Sequence, residues 1–94
     1  MKLTKNECKK VIVIFLGSCF EQNTDFLGND VGNWTATSDK NDCQKECQNY
    51  GSCNYWTYNT IDGKCHMKSS DSGRKSLNGA ISGPKLGSGK LSFY

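Results

Sequence analysis

Six cysteines in a chain of 94 residues, Cys8, Cys19, Cys43, Cys47, Cys53 and Cys65, constrain this sequence more than any other feature. A chain of this length forms one domain, and so small a domain buries only about 60% of its unfolded surface. Just 35% of the residues are apolar, so burial alone leaves the fold marginal and cross-links are expected to supply the difference. An even number of cysteines in a short polar chain reads first as a disulfide framework, and therefore as a secreted or extracellular protein. Zinc is the competing reading, since Cys43 and Cys47 are closely spaced and His66 follows Cys65. It is the weaker one: structural zinc sites draw on two close-spaced ligand pairs, and there is no second CxxC or HxxxH pair here. The sequence therefore predicts no metal and no cofactor.

Charge is unevenly spread around a net +3. Phe20 to Gly63 holds seven acids against Lys40 and Lys45, whereas Lys64 onward holds six bases against Asp71. A nucleic-acid footprint needs a dense basic stripe with interleaved aromatics, and none appears, so the bases read as a solvated face. At the N-terminus, Lys2, Lys5, Lys9 and Lys10 precede the apolar run Val11 to Leu16 and then Gly17 and Ser18, the outline of a signal peptide. The run is shorter than a usual signal core and far short of the roughly 20 residues that cross a bilayer, which argues against direct membrane insertion. Residues 1–18 therefore read as an N-terminal extension, either a degenerate signal segment or a first β-strand built on Val-Ile-Val-Ile-Phe. Leu16-Gly17-Ser18-Cys19 loosely resembles a bacterial lipoprotein box, which the short apolar run again argues against. Leu86 to Lys90 has linker composition, so the domain is expected to span 19–84 and to be followed by a flexible tail, 85–94, that could lead to other domains of a longer chain.

Between these ends, Asn23 to Thr37 reads as a long loop, with or without a short strand, pinned to the body by Phe26, Leu27, Val31 and Trp34. Within it Asn33-Trp34-Thr35 makes Asn33 an N-glycosylation candidate. Ser38 or Asp39 can cap a helix from about Lys40 to about Asn49, before Gly51, with Cys43 and Cys47 one turn apart on one face. Cys53 to Thr60 is dense in aromatic and β-branched residues, Asp62-Gly63 is a turn signal, and Lys64 to Ser69 returns as the second strand of a hairpin. Leu77, Ala80 and Ile81 suggest a closing strand before Ser82-Gly83-Pro84. Strands around a single helix give an α+β fold. A helix over a hairpin suggests nested bridges, Cys43 to Cys65 and Cys47 to Cys53, one of the three pairings that four cysteines allow.

The order and spacing of Cys19-Phe20-Glu21, Gly28-Asn29-Asp30, Ser38 to Cys43, Cys47, Cys53, Trp56-Thr57-Tyr58, Cys65-His66-Met67-Lys68 and Ser82-Gly83 resemble PAN/apple modules. The resemblance covers Cys19 to Pro84 and is closest to modules of apicomplexan microneme adhesins, with oomycete and ciliate lectin-like modules similar. It implies a small disulfide-stapled domain, an antiparallel sheet crossed by one helix with the two nested bridges, in an extracellular binding or adhesion protein. Apple modules often tie a cysteine near the start to one after the closing Ser-Gly. No cysteine follows Cys65 here, so Cys8 and Cys19 stay unassigned.

With Cys53 and Cys65 turned to the helix, period-two alternation would put Trp56, Tyr58, His66 and Lys68 on the opposite sheet face. Such an aromatic and basic surface suits a glycan or a host or cell-surface protein, with Arg74 in the turn-rich stretch a further contact. The competing reading makes Trp56 and Tyr58 a second small core beneath the 23–37 loop, with His66 at a solvated edge. A purely protein-binding or architectural module is the alternative function. An enzyme ranks third: His66 is the single histidine, and a closed framework leaves it no thiolate.

Overall fold

The computed structural model describes residues 20–86. The 1–18 segment, Cys8, Cys19 and residues 87–94 lie outside the described residues, and with them the readings of a leader or first strand, of the two unassigned cysteines and of most of the tail. The described chain runs β1 (Glu21–Phe26), β2 (Thr35–Ala36), α1 (Lys40–Gln48), β3 (Tyr55–Asn59), β4 (Lys64–Lys68) and β5 (Arg74–Pro84). All strand pairs are antiparallel, in the order β1-β5-β3-β4-β2, and α1 lies across one face.

The helix starts where Asp39, in extended backbone, accepts a hydrogen bond from the Asp42 amide at 2.9 Å. That satisfies one of the orphan donors of the first turn. Ser38 instead donates to the Asp42 carboxylate. Only Cys43, Gln44 and Cys47 of α1 are buried, too little to hold it by area alone. Covalent bonds do part of that work: Cys43 is joined to Cys65 and Cys47 to Cys53, with Cα separations of 5.3 and 5.2 Å. Two amides help, Gln44 Nε2 donating to the Pro84 carbonyl and Gln48 Nε2 to the Lys85 carbonyl at 3.1 and 3.0 Å.

Beneath α1 the core gathers Phe20, Trp56, Tyr58, Met67 and the four half-cystines. Trp56 is fully buried and its indole N–H donates to the Pro84 carbonyl at 2.8 Å. Here the expected faces are corrected. Trp56 pairs with Met67 and Tyr58 with Cys65, so both aromatics lie on the helix side with Cys65, away from His66 and Lys68. The alternation failed because Cys53 precedes β3 in a turn, and period two holds only within an extended strand. Tyr58 lies under the helix entry, its hydroxyl donating to the Ser38 carbonyl at 3.2 Å.

Gly83 pairs with Trp56 across β5 and β3, and a Cβ there would fall 2.7 Å from Trp56 Cζ2 and 3.1 Å from Phe20 Cδ1. Gly83→Ala should therefore lower stability by about 2 kcal/mol in thermal unfolding. A variant as stable as the parent would show that this close approach is not real.

β1 is a six-residue strand where a loop with at most a short strand was expected. Its residues, Glu-Gln-Asn-Thr-Asp-Phe, carry almost no apolar alternation because only Phe26 turns into a core. Backbone pairing with β5 holds the rest, interrupted between Gln22 and Thr24, where Asn23 adopts φ 52° and its Oδ1 accepts from the Gly79 amide. β5 is likewise longer than its apolar residues suggest, since its first half pairs with β1 as an exposed ribbon.

Candidate functional site

The sheet face turned away from α1 is organised around a cross-strand row, His66 beside Thr57, Thr57 beside Ser82 and Ser82 beside Glu21. Ser82 Oγ donates to the Thr24 carbonyl at 2.6 Å, which leaves Thr57 Oγ1 to donate to Ser82 Oγ, also at 2.6 Å. Next to this row, Phe26 meets Tyr55 edge to face at 5.7 Å, with the Arg74 guanidinium 5.1 Å from the centre of the Phe26 ring. A second small core thus exists on the outer face, but Phe26 and Tyr55 form it, not Trp56 and Tyr58.

Two of the basic residues expected to meet a ligand are ion-paired within the domain. The Lys68 side chain is 4% exposed, and its ammonium pairs with Asp30 and, at 3.4 Å, with Asp25. Arg74 holds Glu21 through Nε and Nη2, both at 2.9 Å, and Asp71 at 3.2 Å. Hydrogen bonding to Glu21 raises its affinity for its proton above the ordinary arginine value, with burial opposing. Lys68 and Arg74 thus tie together β1, the loop after it and the β4–β5 segment; Lys68 is buried by its pairs, whereas Arg74 stays 45% exposed. Nothing in the linear order brings Asp25 and Asp30 to Lys68, because they meet only when the chain folds over the outer face.

The edge formed by β4 and β2 stays open. Thr35 pairs with Cys65 and Ala36 with Lys64. Continuing that register by one residue sets Trp34 alongside His66, on the outer face. Trp34 is 50% exposed, and Lys64 Nζ lies 4.4 Å from its ring centre. His66 is half-buried between this edge and Thr57. Asn33, one residue before Trp34, is exposed. Beyond Ala36 an open cleft of about 320 Å³ is lined by Ala36, Thr37, Ser38, Asp42, Lys45 and Glu46, which offer hydroxyl, carboxylate and ammonium groups. Of the residues expected at a ligand face, Trp56, Tyr58 and Lys68 are buried, His66 is half-buried and Arg74 keeps a side chain that is 45% exposed. Trp34, expected to pin the loop to the body, instead leaves half of its surface exposed, in a Gly- and Asn-rich segment beside a sequon.

Among the described residues no group of three or more His, Cys, Asp or Glu side chains could hold a metal, and Cys65 next to His66 is tied up in a bridge. No described helix is long and apolar enough to cross a membrane.

The family model for the PAN domain matches residues 19–89. Bovine coagulation factor XI is 36% identical over 94 residues, covering 93% of this chain and 14% of that protein. Micronemal protein 4 of Toxoplasma gondii is 40% identical over 72 residues, covering 72% of this chain and 12% of that protein. The chain thus spans a small part of each relative. Among solved structures, the two N-terminal apple domains of Toxoplasma gondii microneme protein 4 share 37% identity with a TM-score of 0.63, covering 70% of this chain and 44% of that one. A module of the same microneme protein, solved in complex with lacto-N-biose, aligns with a TM-score of 0.66 at 22% identity, covering 71% of this chain and 96% of that one, a likeness of fold.

Proposed function

Because this chain belongs to the PAN domain family, we propose that it is a non-catalytic, extracellular adhesion module that binds cell-surface carbohydrate at the edge formed by Trp34, Lys64 and His66. The observation that carries this reading is the half-exposed Trp34 ring with the Lys64 ammonium over it, while Trp56 is fully buried. A pyranose ring presents an apolar C–H face and a rim of hydroxyls. The indole face suits the first, and the Lys64 ammonium and the His66 ring suit the second. The lacto-N-biose complex of a module with the same fold supports the ligand class. A glycan on Asn33 would stand directly beside this edge and compete for it.

Trp34→Ala is expected to weaken saccharide binding on a glycan array and in calorimetry by about 30-fold, the loss typical of a central aromatic anchor. Its melting temperature should stay within about 3 °C of the parent, since a half-exposed ring contributes little to the core. Undiminished binding by Trp34→Ala would remove the site from this reading.

A second reading, docking of a partner protein or of another domain of a longer chain, is favoured by Ile61 and Leu77, 74% and 41% exposed near the tip of the β3–β4 hairpin and the β5 ribbon. Silence on the glycan array, with partner capture abolished by Ile61→Asp, would establish it.

A further inference from the structure

Resting on that carbohydrate reading, we infer that the Trp34 edge selects an anionic saccharide, one whose pyranose carries a sulfate or a carboxylate. The observation is an imbalance among the basic residues. Lys68 and Arg74 are neutralised by Asp25, Asp30, Glu21 and Asp71. Lys64 has no carboxylate on its ammonium among the described residues. The acid nearest to it in sequence, Asp62, uses Oδ1 to accept the Lys64 backbone amide at 3.0 Å. The ammonium instead rests on the indole of Trp34 at 4.4 Å.

A cation held over an aromatic ring is partly stripped of water and has a weak partner, so exchanging the ring for an anion gains a charge-assisted hydrogen bond at little further desolvation. Lys64 and His66 project from the same side of β4, roughly 6.6 Å apart along the strand. With a sugar ring stacked on Trp34, a substituent on its rim reaches Lys64 on one side and a ring nitrogen of His66 on the other. Of the described bases from Lys64 onward, Lys68 and Arg74 are ion-paired into the fold, and among the lysines with no carboxylate partner, Lys64, Lys75 and Lys85, it is Lys64 whose ammonium lies over an aromatic ring.

The test is calorimetry of the full chain with lacto-N-biose and with its sulfated and sialylated forms. The parent should bind at least one anionic form about fivefold more tightly than the neutral one, and the preference should shrink as ionic strength rises from about 0.05 M to about 0.5 M. Lys64→Met, which keeps the apolar stem over the ring, should abolish the preference while neutral binding persists, and Lys75→Met should change neither. Sulfated and sialylated arms tell which anion is taken. Equal binding of neutral and charged forms by the parent, or a preference that survives Lys64→Met, overturns the inference and leaves the carbohydrate reading standing. Binding to no saccharide overturns both.

Discussion

Replacing Cys43 and Cys65 together by alanine should lower the melting temperature by about 15 °C in circular dichroism and leave much of the domain unfolded at body temperature. The bridge spans a separation of 22 residues, and opening it returns about 3 kcal/mol of chain entropy to the unfolded state. A domain of this size has a net stability of only about 5 kcal/mol, so the loss is a large share of the whole. The structural reason is local. α1 buries three side chains, two of them the half-cystines Cys43 and Cys47, and without its link to β4 it would hang on Cys47 and the two glutamine amides. The companion change, Cys47 and Cys53 to alanine, opens a bridge across a separation of only 6 residues and should cost about 2 kcal/mol. If the Cys43/Cys65 variant melted within a few degrees of the parent, the sheet would be holding the helix by some other means.

Lys68→Met should cost about 3 kcal/mol in denaturant unfolding, even though methionine fills much the same space. The substitution strands Asp25, whose side chain is only 16% exposed, beside an apolar group in place of a cation. Desolvating a carboxylate without a partner is among the largest single penalties a small domain can meet. Adding Asp25→Leu to Lys68→Met should restore most of the loss, because removing both charges removes the penalty. Asp30 tolerates the change, being 60% exposed. Were Lys68 instead a ligand contact, Lys68→Met would abolish binding at unchanged stability.

That contrast marks where sequence and structure part. The helix, a cap at Ser38 or Asp39, the β3–β4 hairpin and the PAN likeness were all legible, because capping chemistry, turn signals and half-cystine spacing are local. β1 was not legible: a polar edge strand held by backbone pairing leaves no alternation to read. The faces of Trp56 and Tyr58 went wrong for a different reason, since the phase was taken from Cys53, which sits in a turn, instead of from Cys65, which sits in the strand. Lys68 and Arg74 look like free cations in a linear reading, and only the folding of Asp25, Asp30 and Glu21 against them shows otherwise. Trp34 was missed because β2 is two residues long and carries no pattern.

The chain contains two tryptophans, one at the proposed edge and one in the core, so each indole N–H reports on one side of the sheet. Titrating the isotope-labelled protein with lacto-N-biose and its sulfated form, and following both indole signals by NMR, tests the claim that recognition occurs on the outer edge beside β4. The predicted result is a progressive shift of the Trp34 indole and of the amides around Ala36 and His66, with the Trp56 indole unmoved in its hydrogen bond to Pro84. Shifts centred on Trp56 and α1, or a Trp34 signal that stays fixed while the sugar binds, would contradict it.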